Sequence, residues 1–200
     1  MPVVTALRES RRGRVAVELD GAPWRVLPVE VVVRAGLSEG RLLDRPTLRL
    51  LGRELRRARA LGVATRALRT RDLSVRGLAE RLERASVAPA AAAESLAALS
   101  RAGILDDERV ARNRAQALAD RGYGDAAIRH RLQADGLVSE TAAAALGALA
   151  PEAERAGRVI ARRGRGPRTA RYLAGRGFGE EAVEAALGPG FGQDPEAAIG

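Results

Sequence analysis

Two hundred residues with 46% hydrophobic side chains can bury a core, but aromatics are only 2%, so Leu, Val and Ala must build it, which suits closely packed helices better than a wide sheet. The chain has no Cys, which excludes disulfides and thiol chemistry; no apolar run reaches the ~18 residues of a membrane span and no signal peptide opens the chain, so a cytoplasmic protein is expected. The formal charge of +9 rests on 34 basic residues, all Arg, a usage that fits a GC-rich genome, so the distribution of charge says more than its total.

Residues 1–45 read as a small β-rich domain. Stretches 3–7, 15–19 and 24–27 are short, β-branched and partly alternating, as strands are. Asp20-Gly21 joins the second and third like a tight hairpin. Pro28 can then open a short helix over 29–34, which Gly36 closes. From Pro46 the pattern turns helical, with Leu48, Leu51, Leu55, Ala58, Leu61, Ala64 and Leu68 at spacings of three and four. Ser74 caps a second helix carrying Leu78 and Leu82, and a third carries Ala92, Leu96 and Leu99.

The hinge at 103–111 reads as a stop and a restart. Gly103 ends one helix in the left-handed conformation, and Ile104 and Leu105 can pack across the turn. Asp106 caps the next helix, while Asp107 and Glu108 place negative charge at its positive end. Further helices are expected at 107–121, at 125–135 with Gly136 as its stop, and at 139–149. Pro151 starts another to about 163, Gly166-Pro167 opens the next, which Gly177 ends, and the last covers 180–187. Residues 188–200, rich in Gly, Pro and Ala, read as a disordered tail.

These nine helices fall into three sets of three, over 46–105, 106–150 and 151–187. Leu78, Leu82, Val87 and Leu96 match Ile128, Leu132, Leu137 and Leu146 at a constant offset of 50. Leu132, Gly136, Leu137 and Leu146 match Leu173, Gly177, Phe178 and Leu187 at an offset of 41. Such a period signals tandem helical modules, stacked into an elongated, curved body with an extended binding face.

Charge gathers in two patches. Segment 53–71 holds seven Arg and one Glu, and 155–179 holds eight Arg and no acid, whereas 106–150 has six Arg against seven acids. A polyanionic or acidic partner is the functional reading, and two solvated helix faces the structural one. The candidate contacts are Arg53, Arg56, Arg57, Arg66, Arg69, Arg76, Arg129, Arg131, Arg155, Arg158, Arg162, Arg163, Arg165, Arg168 and Arg171. Arg155, Arg158 and Arg162 share one helix face by their spacing.

No catalytic set is legible, and no metal or cofactor is expected. His130 is the only His, and it sits between Arg129 and Arg131 on a polar helix face. The Gly164-Arg165-Gly166-Pro167 loop lacks the Lys-Ser/Thr of a nucleotide-binding loop. Asp106-Asp107-Glu108 has no second acidic cluster to complete a cation site. Trp24, Tyr123, Tyr172, Phe178 and Phe191 are too few and scattered for a base-stacking platform and read as core or loop plugs.

Two strings resemble the RecX family, bacterial regulators of the RecA recombinase. Members carry Gly-(Leu/Ile)-Leu-Asp-Asp-x-Arg-(Phe/Val/Tyr)-Ala after the first helical set, matched here by Gly103, Leu105, Asp106, Asp107 and Arg109 within 103–111. They carry Gly-Tyr-Gly-x-x-x-Ile-x-x-x-Leu-x-x-x-Gly-(Ile/Leu) in the second set, matched by Gly122, Tyr123, Gly124, Ile128, Leu132, Gly136 and Leu137. The likeness covers about 54–187, and residues 2–45 are similar to an N-terminal β-rich extension that some members have, including a Leu37-Ser38-Glu39-Gly40 turn. The first-set string at 73–78 departs, with Gly77 inside a helix at a cost of about 1 kcal/mol against Ala.

The resemblance implies a mainly α protein of three tandem three-helix repeats. It implies a non-enzymatic monomer that binds along the groove of the RecA–DNA filament and depresses its ATPase and strand-exchange activities, modulating recombination, DNA repair and the SOS response. Single- and double-stranded DNA would be contacted weakly and without sequence preference. The alternative is a general DNA-binding protein with helix-turn-helix-like repeats, which would select one duplex.

Overall fold

The computed structural model describes residues 1–10 and 13–188. Phe191 and all but the first residue of the expected tail lie outside them. The chain divides into two compact units, one of 1–72 with 78–104 and one of 73–77 with the residues from 105 onward.

The first unit opens on an antiparallel sheet of β1 (Val4–Ser10), β2 (Arg14–Leu19) and β3 (Ala22–Pro28), in that order. Asp20 and Gly21 both take positive φ, 49° and 80°, and Leu19 pairs with Ala22, which makes the expected two-residue hairpin turn. Then come α1 (Val29–Arg34), α2 (Arg45–Leu68), α3 (Val75–Arg84), whose residues up to Gly77 belong to the second unit, and α4 (Pro89–Arg101). Val4, Val17, Leu27, Val31 and Leu43 share one core with Leu51 of α2. The sheet therefore closes its core on a helix beyond residue 45, as a three-stranded meander must bury its apolar face against something.

Asp44 starts α2 by accepting a 2.8 Å hydrogen bond from the Thr47 amide, and hydrogen bonds from the Thr47 side chain and backbone hold its carboxyl below the usual value. The inward face of α2 begins Thr47, Leu51, Glu54, so Leu48, expected on the apolar stripe, stays 43% exposed. Leu96 is likewise only half-buried. Ser95 takes the buried position of α4, and its hydroxyl donates to the Ala91 carbonyl at 2.8 Å, which removes the cost of burying it.

The second unit holds α5 (Asp107–Asp120), α6 (Asp125–Ala134), α7 (Ser139–Gly147), α8 (Glu152–Arg163), α9 (Pro167–Gly175) and α10 (Glu180–Leu187). Two cores fill it. One gathers Leu118, Ile128, Leu132, Leu137 and Leu146 around Ala111, Ala115 and Ala142, and the other gathers Ile160, Leu173, Phe178 and Leu187 around Ala156. The offsets of 50 and 41 reappear in the backbone. Ser86, Gly136 and Gly177 each end a helix at positive φ, and the next amide closes back at 3.0–3.2 Å on Leu82, Leu132 and Leu173 respectively. In the first set a Ser stands where the other two have Gly.

Candidate polyanion-binding surface

A repeated latch positions the charged residues of the second unit. The N-terminus of α6 presents backbone N–H groups that lack helical partners. Gly124 donates to the Arg176 carbonyl at 3.0 Å and Ala126 to the Gly177 carbonyl at 3.1 Å, so the α9–α10 turn caps α6. Asp125 donates its amide to the carboxylate of Glu152, the first residue of α8, at 2.6 Å. The start of α3 repeats this scheme. The Ser74 hydroxyl donates to the Asp135 carbonyl at 2.6 Å, and the Val75 amide donates to Asp107, the first residue of α5, at 2.8 Å. Ser74 also accepts from the Gly77 amide at 3.0 Å, the expected cap. Gly77 earns its place there, because a Cβ would lie 3.1 Å from that hydroxyl.

The hinge is thus partly as read. Gly103 has φ 68°, Leu105 is buried, and Asp106 caps α5 by accepting from the Arg109 amide at 2.9 Å. Ile104 stays half-exposed, whereas Leu105 is buried. Asp107 does more than oppose the helix dipole, since its carboxylate caps a different helix. Asp106→Ala and Asp107→Ala are each expected to cost about 1 kcal/mol, one from α5 and one from α3. Their effects should add in thermal melts, with each Tm lower by about 2–4 °C; a Tm equal to the parent's for Asp107→Ala would remove the latch.

Arg155 departs from the expected surface role. It is 4% exposed, and its guanidinium donates to the carbonyls of Ala150 and Tyr123 at 2.9 and 3.0 Å and pairs with Asp125. The Phe178 ring lies 5.9 Å away. With all three guanidinium nitrogens engaged, Arg155 is a pin between α8 and the α5–α6 turn, and its charge is already matched. The helix-face spacing was right, but the face is not uniformly wet.

Arg158, Arg162 and Arg163 do meet on one surface. With Arg121 and Tyr172 they line a cleft of about 530 Å³ between the end of α5 and α8, where Asp120 is the only acid. Asp120 accepts from the Gln116 side chain at 2.8 Å. A cleft walled by one sign of charge focuses field and favours anions. Arg165, Arg168 and Arg171 are exposed around the start of α9, outside this cleft, and Arg129 is exposed on α6. Arg131 lies on the Tyr123 ring, 4.0 Å from its centre. The stem of Arg76 covers the turn at Gly136, where a Cβ would meet it at 3.0 Å.

The 53–71 cluster belongs to the first unit and splits over α2. Arg57, Arg66 and Arg69 line a groove of about 340 Å³ with Arg34 and two acids, Glu30 and Glu54. Arg53 and Arg56 line a separate, more open groove with Leu48 and Arg49. The carboxylates in the first groove make it the weaker anion site.

Sequence reading missed Arg121 and Arg176, and set aside the tyrosines. Phe178 is core, as expected, and Trp24 packs partly on the sheet's core. Tyr123 and Tyr172, however, both come to Arg176, their ring centres 4.6 and 5.1 Å from its guanidinium. Among the described residues no group of three or more His, Cys, Asp or Glu could hold a metal ion, and no helix is long and apolar enough to cross a membrane.

Fold and surface together define a helical protein with a small N-terminal sheet and a basic cleft. Among solved structures this is the fold of RecX: the crystal structure of a regulatory protein RecX superposes with a TM-score of 0.76 at 18% identity, covering 91% of this chain and 97% of the other. RecX from Lactobacillus salivarius superposes with a TM-score of 0.59 at 14% identity, covering 66% of this chain and 94% of that one. No protein-family model matches the sequence, and no characterised protein matches it.

Proposed function

We propose that this chain is a RecX-type regulatory protein, a cytoplasmic, non-enzymatic monomer that binds RecA–DNA filaments and slows their ATP hydrolysis and strand exchange. The observation that carries the reading is the likeness to a regulatory protein RecX over nearly the whole of both chains. The Gly103–Ala111 and Gly122–Leu137 strings support it from the sequence side. The reading also takes 46–105, 106–150 and 151–187 as three tandem repeats, which the recurring helix stops at Ser86, Gly136 and Gly177 support.

Function on this reading is occupancy, not chemistry. A regulator of a nucleoprotein filament has to meet protein and phosphate together, and arginines supply bidentate, permanently charged contacts to both carboxylate and phosphate. Each phosphate neutralised adds salt-sensitive affinity. The arginines assigned to this contact are those lining the cleft, with Arg165, Arg168 and Arg171 beside them and the 53–71 cluster as a second contact.

RecA-catalysed ATP hydrolysis on single-stranded DNA, titrated with this protein, tests the reading. The expected result is a dose-dependent fall in hydrolysis, with no hydrolysis by the protein alone. Rates unchanged across a wide excess of protein would overturn it. Selective binding to one duplex sequence would favour a helix-turn-helix-like DNA reader instead.

A further inference from the structure

In the first unit, Leu55, Ala58 and Leu61 of α2 stay half-buried and Gly62 is exposed. Their spacing puts them along one side of the helix. They line two grooves, of about 340 and 440 Å³, which meet at Glu30 and Ala58. From Leu55 to Arg69 the joined groove follows α2 for about 21 Å at the helical rise. Its rim is basic. Arg34 of α1 and Arg57, Arg66 and Arg69 line it, and none of them is in an ion pair among the described residues. Glu54 lines the same groove and is 7% exposed, yet its Oε2 atom has no hydrogen-bond partner. Its ion pair with Arg53, 3.8 Å away at the other oxygen, goes to a side chain that is 63% exposed. A carboxylate oxygen buried without a donor is costly. The groove thus lacks one donor for Glu54 and several acids for its arginines.

We propose that this groove docks an amphipathic helix of a partner protein, acidic on both flanks of its apolar stripe and carrying one Lys for Glu54. A helix of about 14 residues matches the 21 Å run. Its apolar side chains fill the floor, as in other helix-in-groove recognition. Ala58 and Gly62, four residues apart, let a second helix approach closely, because the side chains at the contact set the distance between axes. Its acids meet the arginine rim. Nucleic acid fits less well, since Glu30 and Glu54 oppose phosphates and the apolar floor gains nothing from them. A second copy of this chain fits less well too. Its acidic helix α10 already packs Val183, Ala186 and Leu187 into its own core.

The proposal names a protein partner for the second contact of the proposed function, and its test contains no recombinase. The probe is a fluorescein-labelled model helix of about 14 residues, with Leu at spacings of three and four, Glu on both sides of that stripe and one central Lys. The controls are a scrambled peptide and one with Lys for every Glu. Titrated with the full chain by fluorescence anisotropy, the probe should bind at least about tenfold more tightly than either control. Gly62→Leu fills the floor where an added Cβ meets nothing within 4 Å. It should weaken binding about tenfold, as overpacking of a contact does. It should melt no lower than the parent, because Leu replaces Gly inside a helix. Arg66→Glu should also weaken binding about tenfold, and by more at low salt. A probe with Leu for its Lys should lose about threefold on the parent and nothing on Glu54→Gln, which isolates that pair.

Equal binding of the three peptides, or equal binding of the probe by Gly62→Leu and parent, would overturn the proposal. A parent that sediments as a dimer, with Gly62→Leu a monomer, would assign the groove to a second copy instead. Failure of the peptide test with recombinase inhibition intact would leave the regulator reading standing. Peptide binding as expected, with recombinase rates unchanged by the parent chain, would retain the groove and remove that reading.

Discussion

Arg155→Ala is expected to destabilise the second unit by about 3 kcal/mol, at the low end for removing one partner of a buried pair because Asp125 keeps 32% of its side chain exposed and regains some water. For a chain of this size the Tm should fall by roughly 10 °C. The loss has named parts. The carbonyls of Ala150 and Tyr123 lose their donor, Asp125 loses its counter-charge, and Phe178 loses the guanidinium beside its ring. Arg155→Met restores packing but none of the polar partners, so it should be nearly as unstable. Adding Asp125→Ala to Arg155→Met should recover part of the loss, because the unpaired carboxylate goes too. Thermal melts of the four proteins check this. A normal Tm for Arg155→Ala, with weaker polyanion binding and a smaller salt slope, would return Arg155 to the surface role that its helix spacing alone suggests.

The contrast between Arg155 and Arg158 shows where sequence reading stops. Both are Arg on α8, three residues apart, and periodicity put them on one face. Whether that face is wet depends on α5 and α6, whose approach follows from Gly124, Asp125 and Glu152 in contacts about 30 residues away in sequence. Helices were legible because their stops are local. Glycines at 103, 136 and 177 reverse the chain through positive φ, and Leu105, Leu137 and Phe178 just beyond them are buried. The hairpin at Asp20-Gly21 was legible for the same reason. Leu48 and Leu96 misled because a Leu/Ala-rich helix offers two adjacent apolar stripes, and tertiary contact chooses between them.

The tyrosines misled in the opposite direction. Five aromatics spread over the chain give no local sign that two of them meet at one arginine, and an offset of 41 does not align Tyr123 with Tyr172. Their meeting is a consequence of the latch, in which a turn of one helical set caps the middle helix of another. The second Asp of the hinge string belongs to the same device. Asp107 to Val75 and Glu152 to Asp125 are equivalent contacts, each from the first residue of one helix to the first of another. A capping reading of Asp107 was chemically right and topologically short, since propensity concerns only a residue's own helix.

Gly124→Ala should be the most damaging added methyl among the described glycines. A Cβ at Gly124 would lie 2.2 Å from the Phe178 nitrogen and 2.3 Å from the carbonyl carbon and oxygen of Gly177. These are backbone atoms, so no rotamer relieves the overlap; the latch itself must open. Opening it forfeits the Gly124–Arg176 and Ala126–Gly177 hydrogen bonds at about 1 kcal/mol each, on top of an overpacking cost of about 1–3 kcal/mol. The expected total is roughly 3–5 kcal/mol, a fall in Tm of about 10 °C or more. Gly157→Ala is the control. It adds the same methyl in α8 where nothing lies within 4 Å, and with better helix propensity it should raise the Tm by about 2–3 °C. Opposite signs for the two substitutions would locate the effect in the latch. A Gly124→Ala protein that melts with the parent would mean that the turn at Gly177 does not rest on α6.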